Sequence, residues 1–193
     1  MAVDIQYAVP TWNQIYDMLL SQAEKIRAIY QVEVVVGIAR GGLVPARVLA
    51  DLLDAPNFAT IQVEFYVDIA KTTAEPTLKQ PLSTFVNDKK TLLVDDIADH
   101  GASLQLAKNH LQTQGAAEVK TATLYLKPHS ALQPDFYEKQ TQSWVVFPWD
   151  TKETLRKILQ RKTGKRQTNG EIAKIVKAGL PKQLANKLLE EMR

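Results

Sequence analysis

The chain has 193 residues, no cysteine, and 24 Lys and Arg against 21 Asp and Glu, a formal charge of +3. A chain of this length buries roughly two thirds of its extended surface, so one main core is expected without a structural metal, and the lack of cysteine excludes disulfides, thiol catalysis and cysteine-ligated zinc. The modest positive balance suits phosphate-bearing ligands better than the coating of long nucleic acids, while the opening MAVDIQYAVPTW lacks the pattern of a secretion signal and no apolar run would span a bilayer, so a cytoplasmic protein is expected.

In chain order, Thr11 and Gln14 form a capping box after Pro10, and Ile15, Met18, Leu19, Ala23 and Ile26 predict a helix to about Tyr30. Residues 32–38, VEVVVGI, read as a central parallel strand, because a continuous β-branched run does not suit a half-exposed one. Gly41 and Gly42 end it, and Pro45 opens a helix over 46–53. Residues 60–66 give the next strand, and 67–83, with two prolines and no firm period, a long excursion. KTLLVDD predicts a buried strand ending at Asp96, then a helix over about 102–114 stopped by Gly115. Strands follow at 119–126 and 144–147. Beyond Thr151 come a short helix, a basic linker, a helix opened by Thr168 and Glu171, and a last helix after Pro181. The alternation defines an α/β fold with a mainly parallel sheet flanked by helices, a domain over 1–150 and a helical appendage over 151–193. Ligands are expected beyond the carboxyl ends of the strands, at the turns 39–45, 96–103 and 127–130.

Residues 92–103, LLVDDIADHGAS, carry most of the chemistry. An apolar strand delivers Asp95 and Asp96, which face opposite ways and so suit different hydroxyls of a sugar, directly or through hydrated magnesium. Asp99 follows, and the turn through Gly101 to Ser103 offers N–H groups to a phosphate. The same acids could simply end a strand and cap a helix, yet three carboxylates in five residues repel one another unless cations or donors are supplied. In GIARGGLVPA, Arg40 offers a planar cationic fork, and Gly41 and Gly42 let the backbone approach an anion. Lys127 lies just beyond a strand, either as an exposed cation or as a donor to a carbonyl oxygen. Trp144 and Trp149 suit a core or an interface as well as a ligand platform. The GxGxxG and Walker A patterns are absent.

VDDIADHGAS resembles the phosphoribosyl-diphosphate motif of type I phosphoribosyltransferases, and GIARGGLVPA is similar to the diphosphate-binding loop of the purine members. LYLKPHS and SWVVFPWD resemble the xanthine-guanine and hypoxanthine-guanine (6-oxopurine) enzymes, with their archaeal relatives looking closest. The resemblance implies the type I phosphoribosyltransferase fold with a hood at about 66–82, Mg2+, phosphoribosyl diphosphate and a 6-oxopurine as ligands, and a homodimer or higher assembly. It implies that Asp95 and Asp96 approach the ribose hydroxyls and the metal, that Asp99, His100, Gly101, Ala102 and Ser103 cradle the 5′-phosphate, and that Arg40, Gly41 and Gly42 bind diphosphate. Lys127 then meets the oxygen at purine position six, Trp144 stacks on the base, the Val145 carbonyl meets its far edge, and Asp150 holds a magnesium-bound water. Asp99 gains a catalytic task, handling the proton at purine N7. His100 departs from the family's usual threonine, and Ser103 replaces another.

The rival reading is a regulatory protein of this fold that binds nucleic acid or a protein through Arg156, Lys157, Arg161, Lys162, Lys165 and Arg166. A solvated face or a homodimer contact explains the same run, so a nucleic-acid partner is not expected.

Overall fold

The computed structural model describes residues 5–66, 75–160 and 165–192. They form two compact units, one of Tyr16–Thr141 and one joining Met1–Ile15 to Gln142–Arg193.

The larger unit is a six-stranded sheet in the order β4-β3-β2-β5-β6-β7. Its strands are β2 (Val34–Ala39), β3 (Asn57–Tyr66), β4 (Glu75–Gln80), β5 (Lys90–Ala98), β6 (Glu118–Leu126) and β7 (Phe136–Gln140). All neighbours are parallel except β3 and β4. The central strands β2, β5 and β6 are the continuous apolar runs, and Val35, Val36, Leu92, Leu93, Val94, Ala122 and Leu124 are fully buried, as a strand covered on both faces requires. Helix α2 (Leu43–Leu52) follows β2, and α3 (Ala102–Thr113) follows β5. Leu104, Ala107 and Leu111 of α3 recur at helical spacing and bury against Val34, Val36, Ile38, Ile61 and Leu93. Most of α1 (Trp12–Ile29) belongs to this unit, and Gln22 donates to the Thr123 carbonyl at 2.8 Å.

Several sequence expectations need correction. Residues 75–80 of the expected excursion form β4, an antiparallel edge strand against β3; residues 67–74 of the expected hood lie outside the described residues. Strand β5 continues two residues past Asp96 to Ala98, because the parallel ladder to β6 persists through Ala98↔Leu126. Edge strand β7 was not anticipated.

In the smaller unit, β1 (Tyr7–Ala8) and β8 (Trp144–Val145) form a two-stranded parallel sheet. The strand expected over 144–147 is thus only two residues long and lies outside the six-stranded sheet. Helices α4 (Thr151–Gln160), α5 (Lys165–Lys177) and α6 (Lys182–Glu190) complete the unit. Val146, Leu155, Ile158, Ile175, Leu180 and Ala185 form its core. Helix α5 begins at Lys165, so Thr168 lies inside it and does not cap it. Among the described residues, no helix is long and apolar enough to cross a membrane.

Candidate active site

The turns after β2, β5 and β6 share one rim, because these strands are parallel neighbours. The β2–β5 ladder ends at Gly37↔Val94. Strand β2 then leaves through the Ala39–Arg40 peptide, which is cis, and β5 carries Asp95 and Asp96 into the space beyond. The double glycine has a steric purpose here. A Cβ on Gly41 would overlap the Asp96 carboxylate, and one on Gly42 would meet the Val94 carbonyl oxygen at 2.5 Å and the Asp95 Cα at 2.9 Å. The Arg40–Gly42 turn therefore lies directly on the acidic pair. Arg40 itself is exposed.

Asp95 Oδ1 accepts the Asp96 N–H at 2.9 Å. Burial, reinforced by the charge of Asp96, raises the Asp95 pKa well above the usual carboxylate range, although N–H groups of Asp96 and Gly42 oppose the shift. A cation or sugar hydroxyls brought to the pair would relieve that cost. Oxygen-only donors of this kind fit Mg2+, and Asp95 and Asp96 are the residues able to hold it.

Residues 95–104 line one cavity of about 220 Å³, which gathers Asp95, Asp96, Asp99, His100, Gly101, Ala102 and Ser103. Arg40 is not among its lining residues. Gly101 stands before α3 in the left-handed region, at φ +81°, which glycine reaches without steric cost. The N-terminal N–H groups of α3 open toward this turn, as an anion site requires.

The turn after β6 is tied to the same loop. Lys127 N–H donates to the Ala98 carbonyl at 2.9 Å, and Ala131 N–H to the His100 carbonyl at 3.1 Å. A Cβ on Gly101 would meet Leu132 N at 2.8 Å and Ser130 Oγ at 2.9 Å. Lys127 is only 8 % exposed. Burial pushes its pKa below the ordinary lysine value, and the charge of Asp99 pulls it back. His129 Nε2 lies 2.9 Å from Asp99 Oδ1, and His100 Nδ1 lies 3.8 Å from Asp99 Oδ2. Sequence reasoning missed His129; its one signal was a position two residues beyond Lys127 in KPHS.

Trp144, Val145 and Asp150 belong to the smaller unit. Trp144 is 41 % exposed, and Val145 is buried. Trp144 N–H donates to the Gln6 carbonyl at 2.8 Å. Trp149 stacks on Phe147 with ring centroids 4.8 Å apart. Asp150 precedes α4, where its carbonyl accepts the Thr154 N–H at 2.9 Å.

A mainly parallel sheet whose rim joins an acidic pair, a double-glycine turn and a glycine-led helix start is an α/β arrangement that suits a phosphate-bearing ligand. The model of the phosphoribosyl transferase domain matches residues 11–154. A xanthine-guanine phosphoribosyltransferase of Gluconobacter oxydans is 30% identical over 150 residues, covering 76% of this chain and 86% of that protein. The solved purine phosphoribosyltransferase of Pyrococcus horikoshii matches with a TM-score of 0.68 and 35% identity, over 74% of this chain and 93% of that one. A hypothetical protein from Neisseria gonorrhoeae, solved with bound ppGpp, shares the fold over 100% of both chains, with a TM-score of 0.67 and 22% identity. The chain belongs to the phosphoribosyltransferase family, with the type I fold and a resemblance to its 6-oxopurine members.

Proposed function

We propose that the chain is a purine phosphoribosyltransferase that moves the 5-phosphoribosyl group from phosphoribosyl diphosphate to N9 of a 6-oxopurine (guanine, hypoxanthine or xanthine) and releases diphosphate. The observation that carries this reading is the single cavity of residues 95–104, in which the acidic pair and the glycine-led helix start share one rim. The 5′-phosphate is cradled by Asp99, His100, Gly101, Ala102 and Ser103, and the ribose hydroxyls meet Asp95 and Asp96.

In this reaction the bond from ribose C1 to diphosphate breaks as the bond to purine N9 forms. Asp95 and Asp96 would hold Mg2+, with Asp150 meeting one of its waters, and the ion would supply charge neutralisation for the diphosphate. Arg40 and the N–H groups of Gly41 and Gly42 receive the leaving group, whose negative charge grows as it departs. Asp99 manages the proton at N7. The low exposure of Lys127 supports its role as donor to the six-position oxygen, because a desolvated ammonium bonds a carbonyl more strongly than a hydrated one. Trp144 stacks on the base, and the Val145 carbonyl selects its far edge. A homodimer or larger homo-oligomer in the cytoplasm accompanies this reading.

The test incubates purified protein with phosphoribosyl diphosphate, Mg2+ and guanine, hypoxanthine, xanthine or adenine in separate reactions. Nucleotide and diphosphate formation in equal amounts with at least one 6-oxopurine is expected. Binding of phosphoribosyl diphosphate without turnover of any base would replace the enzyme with a regulatory protein of the same fold.

A further inference from the structure

The turns after β5 and β6 bring two residues of the proposed phosphate cradle, Asp99 and His100, together with His129, to which the proposed reaction gives no part. Asp99, His100 and His129 each present one ligand atom, and the three atoms lie within 4.8 Å of one another. The imidazole centroids are 5.1 Å apart with their planes at 59°, an arrangement that lets two nitrogen edges face one carboxylate. We propose that these residues form a three-ligand site for a borderline divalent transition cation of the Zn2+, Co2+ and Ni2+ class.

The donor set decides the class. Magnesium takes oxygen ligands and retains its water, whereas two imidazoles and a carboxylate suit zinc and its neighbours. Nitrogen and oxygen ligands lie about 2.0–2.2 Å from zinc, so tetrahedral neighbours sit about 3.3 Å apart. His129 Nε2 lies 2.9 Å from Asp99 Oδ1 and His100 Nδ1 lies 3.8 Å from Asp99 Oδ2, and one ligand atom from each residue lies within 4.8 Å of the others. The three side chains are exposed and so can rotate toward that tetrahedral spacing, leaving a fourth position for water.

The backbone holds the two turns in this register. Ala131 N–H donates to the carbonyl of His100 itself, and Lys127 N–H to that of Ala98. Gly101 leaves no room for a side chain between itself and Leu132. The two histidines thus belong to one scaffold.

The consequence for turnover rests on the proposed activity, but the site itself does not. A cation on the Asp99 carboxylate occupies the oxygen that would handle the N7 proton, so Zn2+ inhibits at constant Mg2+. The chain has only three histidines, which makes the test clean when no histidine tag is present. Zn2+ is titrated calorimetrically into the full chain with excess Mg2+, and Co2+ binding is followed by its visible spectrum. One Zn2+ per chain is expected, with nitrogen-ligated Co2+ bands. His100→Ala and His129→Ala each weaken binding about tenfold or more, while His110→Ala leaves it unchanged. Absence of stoichiometric Zn2+ binding, or wild-type affinity in the His100→Ala/His129→Ala double variant, overturns the site. Intact Zn2+ binding in a protein that forms no nucleotide overturns only the activity.

Discussion

Strand β6 meets carboxylates treated in opposite ways on its two sides, Asp135 just before β7 and Asp95 on β5. Near the start of β6, Asp135 accepts both the Thr121 N–H and the Thr121 hydroxyl at 2.8 Å. Burial alone would raise its pKa, but these donors, with Lys108 and Lys120, hold it below the usual carboxylate value. Two rungs along, Asp95 pairs across the ladder with Thr123 and is pushed up by burial and by Asp96. The first carboxylate is satisfied by its own protein and stabilises the fold. The second keeps the cost of its burial, a pattern that clusters at functional sites.

Substitutions can break or sharpen this contrast. The largest effect is expected at Asp99→Asn, where loss of proton handling lowers nucleotide formation by about a hundredfold or more while the melting temperature stays unchanged; wild-type turnover would remove Asp99 from the chemistry. Asp135→Asn is next, and costs about 1–2 kcal/mol of unfolding free energy in urea at neutral pH. Because the folded pKa of Asp135 is depressed, its contribution is full above the unfolded carboxylate value of about 3.9 and fades as pH falls through the folded value. The stability gap between wild type and Asp135→Asn therefore closes on acidification below about pH 4. Lys127→Ala is expected to lower kcat/KM for 6-oxopurines by about tenfold, the loss of one charge-assisted hydrogen bond, and equal losses for adenine would reject its role as an oxygen donor. The smallest effect should distinguish Asp95 most sharply. Asp95→Asn removes a like-charge repulsion, so urea unfolding is expected to show stability unchanged or raised by up to about 1 kcal/mol, even as phosphoribosyl diphosphate binding is lost.

How much could be read beforehand follows from how local each signal is. The central strands β2, β5 and β6 were legible because a strand covered on both faces must be a continuous apolar run. The edge strands were not: β4 contains Pro76, and β7 reads FYEKQ, so neither shows the central pattern. The two-residue β1 and β8 are too short to have a period, and the capping box at Thr168 was outweighed by three further residues of helix before it. At the site, the contiguous segment 95–104 could be recognised from its own order. The steric reason for Gly41 and Gly42, and the meeting of His129 with Asp99, depend on which turns become neighbours on the rim, and no spacing along the chain records that.

The contact of Gly101 with Ser130 and Leu132 also bears on how this protein could be redesigned. The turn through Gly101 and the turn bearing Lys127 lean on each other, so inserting a residue into 127–132 would displace the proposed phosphate cradle as well as the proposed base donor. New base preferences are therefore more accessible by exchanging side chains on that turn than by changing its length.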